Sequence, residues 1–149
     1  MQPISWDFYF MEVAKLTALR SKDNNTKVGS VIVDNLNRIV GVGYNGFPRG
    51  IPDDILPISR DTSLDYHNTK YAYVVHAEAN AILNSPVYDL SNTRIYCTLF
   101  PCNECSKLLI QKGIKQIIYL DDKHHNDPAY IASRKLLDLA GVEYRTYTV

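Results

Sequence analysis

Residues 73–82 read Tyr73-Val74-Val75-His76-Ala77-Glu78-Ala79-Asn80-Ala81-Ile82, and residues 99–105 read Leu99-Phe100-Pro101-Cys102-Asn103-Glu104-Cys105. His76, Cys102 and Cys105 supply one imidazole and two thiols. That donor set suits zinc and leaves one of its four tetrahedral positions open. An open position is where a catalytic water sits, which marks the set as hydrolytic. Two thiolates cancel the formal double charge of the metal and weaken it as a Lewis acid, so a carboxylate has to take the proton of the water. Glu78, two residues beyond the histidine, is the candidate. One such group acts as base when water attacks and as acid when the proton is handed on.

The spacing also predicts where these groups sit. Val74 to Leu83 reads as the entry and first turns of a buried helix, with alanines that pack closely and apolar residues at helical spacing. Pro101 suits the start of a second helix, which runs through Lys107-Leu108-Leu109-Ile110 and stops near Gly113. Cys102 and Cys105 then share one face of its first turn. Free backbone N–H groups and the helix dipole favour thiolate over thiol there. Zinc is expected between two helix N-termini, one ion per chain.

The competing reading is a closed structural zinc site, which requires a fourth protein ligand. Cys97, His67, His124 and His125 are the other soft candidates. Cys97 lies in Arg94-Ile95-Tyr96-Cys97-Thr98-Leu99, whose alternation reads as a strand, and is expected to be a small buried hydrophobe. A structural site would also leave the Glu78 spacing and Pro101 without a purpose.

The chain has 149 residues, enough for one ordinary domain spanning 1–149, and 46% hydrophobic content supplies a core. Sixteen basic and sixteen acidic residues balance to zero formal charge. No global field draws in nucleic acid or an anionic membrane, so a small substrate is favoured over a polymer. Three cysteines, two of them committed to metal, give no disulfide framework and indicate a reducing compartment. Met1-Gln2-Pro3-Ile4 carries no signal-peptide pattern, and no apolar run approaches the roughly 20 residues of a membrane helix. A cytoplasmic protein is expected.

Outward from the motifs, the elements alternate. Apolar residues from Trp6 to Leu19 recur at helical spacing behind Ser5, a suitable N-cap, and the helix runs into the turn Ser21-Lys22-Asp23-Asn24-Asn25. Lys27 to Val33 and Arg38 to Tyr44 are β-rich runs joined by Asp34-Asn35-Leu36-Asn37, a hairpin. After the two motif helices and the strand between them come a strand at Ile114–Leu120, a helix at Pro128–Ala140 and a strand at Val142–Tyr147. The order α-β-β-α-β-α-β-α-β predicts an α/β fold with a mixed five-stranded sheet and helices on both faces. Residues 46–70, with Pro48, Pro52 and Pro57, fit neither period; a loop of that length just before the histidine suggests a part in shaping the pocket.

Three segments together carry a resemblance: Ser21-Lys22-Asp23 through Thr26-Lys27-Val28-Gly29, Gly43-Tyr44-Asn45-Gly46-Phe47-Pro48-Arg49-Gly50 with Asp53-Asp54, and the two extended metal motifs. The histidine–glutamate and Pro-Cys-x-x-Cys pattern is the general signature of zinc nucleobase deaminases. The chain is identified as a member of the cytidine deaminase-like superfamily. Within it, the Gly-Tyr-Asn-Gly-x-Pro segment and its distance to the histidine resemble the deoxycytidylate (dCMP) deaminases.

The resemblance implies a three-layer αβα fold and zinc-dependent hydrolysis of dCMP to dUMP and ammonia, supplying thymidylate synthesis. It implies that Asn45 binds the substrate sugar, an amide being both donor and acceptor, and that the Ala77 backbone reads the base. Without the family, Asn45-Gly46 is equally a turn. Lys123 and His125, in the loop after a strand, are expected near the phosphate. The family further implies a homohexamer turned on by dCTP with Mg2+ and turned off by dTTP. Lys22, Arg49, Gly50, Asp53 and Asp54 then fall where an effector pocket at a subunit interface is expected. Some viral relatives hold a second zinc through further cysteines; with none before Cys97, that metal is not expected here. The alternatives are a deaminase of another substrate (cytidine, dCTP, a modified dCMP, or a base in nucleic acid) and a non-catalytic zinc module. The intact Glu78 argues against the module.

Overall fold

Ser5 accepts a hydrogen bond from the Phe8 backbone N–H at 3.1 Å and so caps the first helix, α1 (Trp6–Ala18). In the computed structural model, which describes residues 1–149, the strands β1 (Gly29–Asp34) and β2 (Ile39–Tyr44) follow as a hairpin. Helix α2 (Ala77–Asn84), strand β3 (Thr93–Leu99), helix α3 (Asn103–Gln111), strand β4 (Gln116–Asp121), helix α4 (Pro128–Ala140) and strand β5 (Glu143–Thr146) complete the order. The predicted alternation is observed, with two 3-10 turns, Tyr66–Asn68 and Lys70–Ala72, added inside the long loop.

The five strands form one mixed sheet in the order β2-β1-β3-β4-β5. β1 runs antiparallel to both neighbours, and β3, β4 and β5 are parallel. Parallel neighbours need crossovers, which α3 and α4 provide. Side chains alternate across the sheet, so successive residues of β1 feed two different cores. Val31 and Val33 join Phe10, Met11 and Ala14 of α1 on one face; Ile32 joins Ala81, Leu109 and Leu137 of the other three helices on the opposite face. The αβα layering is that of the expectation.

Two close approaches fix the helices on the sheet. A Cβ on Gly29 would lie 2.0 Å from the Ala14 carbonyl oxygen, and one on Gly43 would lie 2.3 Å from the Ala81 nitrogen. Glycine is needed at both places because the backbones of strand and helix touch. At the other end of the chain Gly141 takes a left-handed φ of 72° and closes α4, with the Val142 N–H donating to the Leu137 carbonyl.

Two helix starts differ from the sequence reading. The motif helices begin at Ala77 and Asn103, and His76 and Cys102 are their N-cap residues, with extended backbone at ψ 157° and 174°. Pro101 therefore precedes the cap and does not open the helix. An N-cap residue projects its side chain beside the free N–H groups of the turn it precedes, which lets the ligand face its partners across the gap.

Candidate active site

The two N-caps face one another. His76 Nδ1 lies 3.4 Å from Cys102 Sγ and 3.3 Å from Cys105 Sγ, and the three donor atoms all fall within 4.8 Å of each other. Tetrahedral zinc with bonds of about 2.0–2.3 Å has donor–donor edges of about 3.5 Å, so the trio fits such an ion. Cys102 and Cys105 are buried and His76 is exposed, giving a site closed beneath and open at the imidazole. Cys97, the nearest alternative ligand in chain order, is buried and outside the cluster. His67 and His125 also lie outside it, and His124 pairs with Asp127 at 3.3 Å.

The electrostatics suit cation binding. Cys102 is drawn down to about 4, first by its hydrogen bond with Cys105 and then by His76, against burial. The same shared proton, with burial, pushes the Cys105 thiol up. Thiol ligands give up their protons when a divalent ion binds, and a thiol already drawn down does so readily. His76 is raised by its hydrogen bond to the Cys102 sulfur, which outweighs burial. Glu78, in the first turn of α2 and 4% exposed, has its carboxyl pushed up chiefly by burial, with the His76 charge opposing. A carboxyl raised in this way sits closer to the range in which it both takes and returns a proton.

Asn45 is buried, and its amide holds the loop that follows α1. Its Oδ1 accepts from the Val28 N–H at 2.8 Å and its Nδ2 donates to the Thr26 carbonyl at 2.9 Å. One N–H and one lone pair of that amide remain for a ligand. Ala77, 1% exposed, offers backbone at the first position of α2. Lys123 and His125 are exposed. Their loop is brought beside Pro101 and Cys102 because Asp121 pairs with Leu99 and accepts from the Phe100 N–H at 2.8 Å.

A cavity of about 320 Å³ opens next to Asn45 and Val74, walled by Lys22, Asp23, Gly46, Asp53 and Lys70. It contains none of the three metal donors and no Glu78, so it is a neighbour of the metal site and not its interior. Lys22 and Asp53 meet here in an ion pair of 2.5 Å; Arg49, Gly50 and Asp54 are exposed and do not line it. The long loop is tied down here by Lys70, whose side chain, 11% exposed, pairs with Asp23 at 2.6 Å. Asp23 in turn accepts from the Asn25 and Thr26 N–H groups.

Sequence reasoning did not find the Asp23–Lys70 clamp or Tyr130. The clamp joins residues 47 apart and has no local signal. Tyr130 opens the face of α4 on which Ser133 donates to the Pro101 carbonyl at 2.9 Å. Burial first, and then the charges of Cys102 and Glu78, push its phenol up.

The family described as the cytidine and deoxycytidylate deaminase zinc-binding region matches residues 4–121. The chain belongs to the cytidine and deoxycytidylate deaminase family. It is accordingly an enzyme of a hydrolytic class. It is 55% identical over 148 residues to a probable deoxycytidylate deaminase of Drosophila melanogaster, covering 97% of this chain and 73% of that protein. It is 50% identical to the human deoxycytidylate deaminase, covering 97% and 80%. Among solved structures it resembles the dCMP deaminase of cyanophage S-TIM5 in complex with dCMP and dUMP, with a TM-score of 0.76 and 28% identity over 99% of both chains. Acinetobacter baumannii RibD, 21% identical with a TM-score of 0.63, and a Thermotoga maritima diaminohydroxyphosphoribosylaminopyrimidine deaminase/5-amino-6-(5-phosphoribosylamino)uracil reductase, 23% identical with a TM-score of 0.64, share the fold.

Proposed function

We propose that this protein hydrolyses dCMP to dUMP and ammonia, with one zinc ion held by His76, Cys102 and Cys105, and so supplies dUMP for thymidylate synthesis. The observation that carries the reading is the convergence of those donors beside a buried Glu78 in a chain half identical to deoxycytidylate deaminases over nearly its whole length. When bound, the metal acidifies water and polarises it for attack.

The chain's own residues do the rest. Glu78 takes the proton from the water as its oxygen bonds to C4 of the pyrimidine, and delivers it to the ring nitrogen beside that carbon. The second water proton passes to the exocyclic amine as the carbon–nitrogen bond breaks, and ammonia leaves with dUMP behind. The balance is dCMP plus water to dUMP plus ammonia. The free amide N–H of Asn45 reaches the sugar, the Ala77 backbone reads the base, and Lys123 and His125 meet the phosphate on the open side.

The effector reading extends to dCTP with Mg2+ as activator and dTTP as inhibitor in a homohexamer. It is supported by the cavity beside Asn45, where Lys22 and Asp53 offer a cation for phosphate and a carboxylate for a divalent ion. An effector acts by binding one arrangement more tightly than another, and a subunit boundary makes packing part of that affinity.

Ammonia release with dCMP, deoxycytidine, dCTP and a cytosine-containing oligonucleotide tests the substrate. A strong preference for dCMP is expected, since a pocket with cations for a phosphate leaves them unpaired when it is missing. Equal turnover of deoxycytidine overturns the assignment. dCMP saturation curves with and without dCTP and Mg2+, beside a light-scattering mass, test regulation; a monomer with a hyperbolic curve indifferent to both triphosphates overturns it.

A further inference from the structure

One row of side chains crosses the sheet directly beneath α2. Ser30 of β1 pairs with Gly43 of β2 on one side and with Cys97 of β3 on the other, and Cys97 pairs with Tyr119 of β4. Gly43 is where α2 rests: its missing Cβ would touch the Ala77 carbonyl oxygen at 2.4 Å and the Ala81 nitrogen at 2.3 Å. The next two positions along the row, Ser30 and Cys97, therefore lie under the first turn of α2, the turn that carries Glu78. Parity agrees, since Cys97 packs in the same core cluster as Ile32, Ala81 and Phe100.

Ser30 is polar where an apolar floor would be expected, Cys97 beside it brings an S–H into the core, and both are 0% exposed. Ser30 Oγ has no hydrogen-bond partner, and Cys97 is the residue opposite it in the β1–β3 register. An unmet buried hydroxyl is unfavourable and calls for a function. The Cys97 thiol is pushed up first by burial and then by the negative charge of Glu78, so it keeps its S–H proton.

We propose that Cys97, backed by Ser30, is a positioning residue for Glu78, its S–H holding one carboxylate oxygen from below so that the other faces the metal donors. Ser30 directs its hydroxyl at the sulfur and leaves the S–H proton free for the carboxylate. The arrangement matters because Glu78 shuttles protons between several positions and loses rate if its rotamer wanders. The inference rests on the deaminase reading for its kinetic arm only.

The kinetic arm compares zinc-loaded Cys97→Val, which removes the donor at similar volume, with Cys97→Ser, which keeps one. Cys97→Val is expected to lower kcat for dCMP about tenfold while KM stays within about twofold and zinc remains one per chain; Cys97→Ser recovers most of the loss. Unchanged kcat in Cys97→Val, or equal losses in both variants, overturns the proposal, the second outcome showing packing alone. The other arm is infrared and needs no turnover. With Cys102 and Cys105 bound to metal as thiolates, Cys97 is the sole S–H in the zinc protein, the chain having three cysteines. Its stretching band is expected at a hydrogen-bonded frequency in the wild type and at a free-thiol frequency in Glu78→Ala. A band that does not move between the two overturns the proposal even if Cys97→Val fails to fold. A wild type inert toward dCMP with a band that does move overturns the substrate assignment and not the positioning.

Discussion

Gly43→Ala should damage the enzyme out of proportion to one methyl group. The new Cβ would lie 2.3 Å from the Ala81 nitrogen, 2.4 Å from the Ala77 oxygen and 2.7 Å from the Asn80 carbonyl carbon, all backbone atoms of the helix that His76 caps. Real Cβ contacts essentially never fall below 3.0 Å, so α2 must retreat by about 0.7 Å, the difference between 3.0 and 2.3 Å. Backbone cannot rotate out of the way as a flexible side chain does. Forced overpacking of this kind costs about 1–3 kcal/mol. At roughly 2–4 °C per kcal/mol for a domain of this size, the melting temperature should fall by about 2–12 °C. His76 and Glu78 ride on the displaced turn, and a misplacement approaching 1 Å costs up to about 10²-fold in rate, so turnover of dCMP should fall about 10- to 100-fold. Gly46→Ala is the control: nothing lies within 4 Å of its added Cβ. Thermal melts and steady-state ammonia release on both variants decide the matter. If Gly43→Ala melts and turns over like Gly46→Ala, the contact between β2 and α2 does not hold the site.

Glu78→Gln keeps the shape of the side chain without a base, so zinc content and fold should survive while kcat drops by about 10²–10⁴; metal analysis beside turnover checks it, and retention of more than about a tenth of wild-type rate with zinc bound removes Glu78 from proton transfer. Cys102→Ala should lose the metal and a large part of the stability that metal binding lends, read as zinc stoichiometry and melting temperature with and without chelator. Lys70→Met leaves Asp23 buried without its partner and should cost about 1–3 kcal/mol in denaturant unfolding. The clamp also has a pH signature: burial raises the Asp23 carboxyl, and the hydrogen bonds from Lys70, Thr26 and Asn25 more than offset it, leaving its pKa lowered in the folded state. Its stabilisation is therefore present above the ordinary carboxylate pKa, about 4, and lost as pH falls through the lowered folded value. The wild-type melting temperature should drop more steeply than that of Lys70→Met over that acid range.

The order of elements was legible because each obeys a local rule. Ser5 caps, the β-rich runs of β1 and β2 flank a polar turn, Pro128 opens α4 and Gly141 closes it, and all of these act within a few residues. The starts of α2 and α3 were read too early, at Val74 and Pro101 where the helices begin at Ala77 and Asn103, for a related reason. A histidine or cysteine at an N-cap makes no side-chain capping bond here, so neither resembles the serine or aspartate by which helix starts are read. Pro101 supplied the usual signal two residues before Asn103, and Cys102 takes the cap position between them.

The metal donors stood out because their chemistry is carried by rare residue types at fixed spacing, whereas the parts that support them are set by tertiary register. Whether Ser30 faces Glu78 or α1 depends on one residue of slip in β1, since a single step moves every side chain to the other face. Val31 and Ile32 are both fully buried, in different cores, so burial on both faces erases the alternation that would have told them apart. The same holds for Asn45: its Asn-Gly pair reads as a turn, and only the packed structure shows the amide spanning Val28 and Thr26 to fix the loop. The contact of Gly43 with α2 supplies the missing register. It places the row under the helix, and through the row it makes the buried polarity at Ser30 and Cys97 part of the site that Glu78 serves.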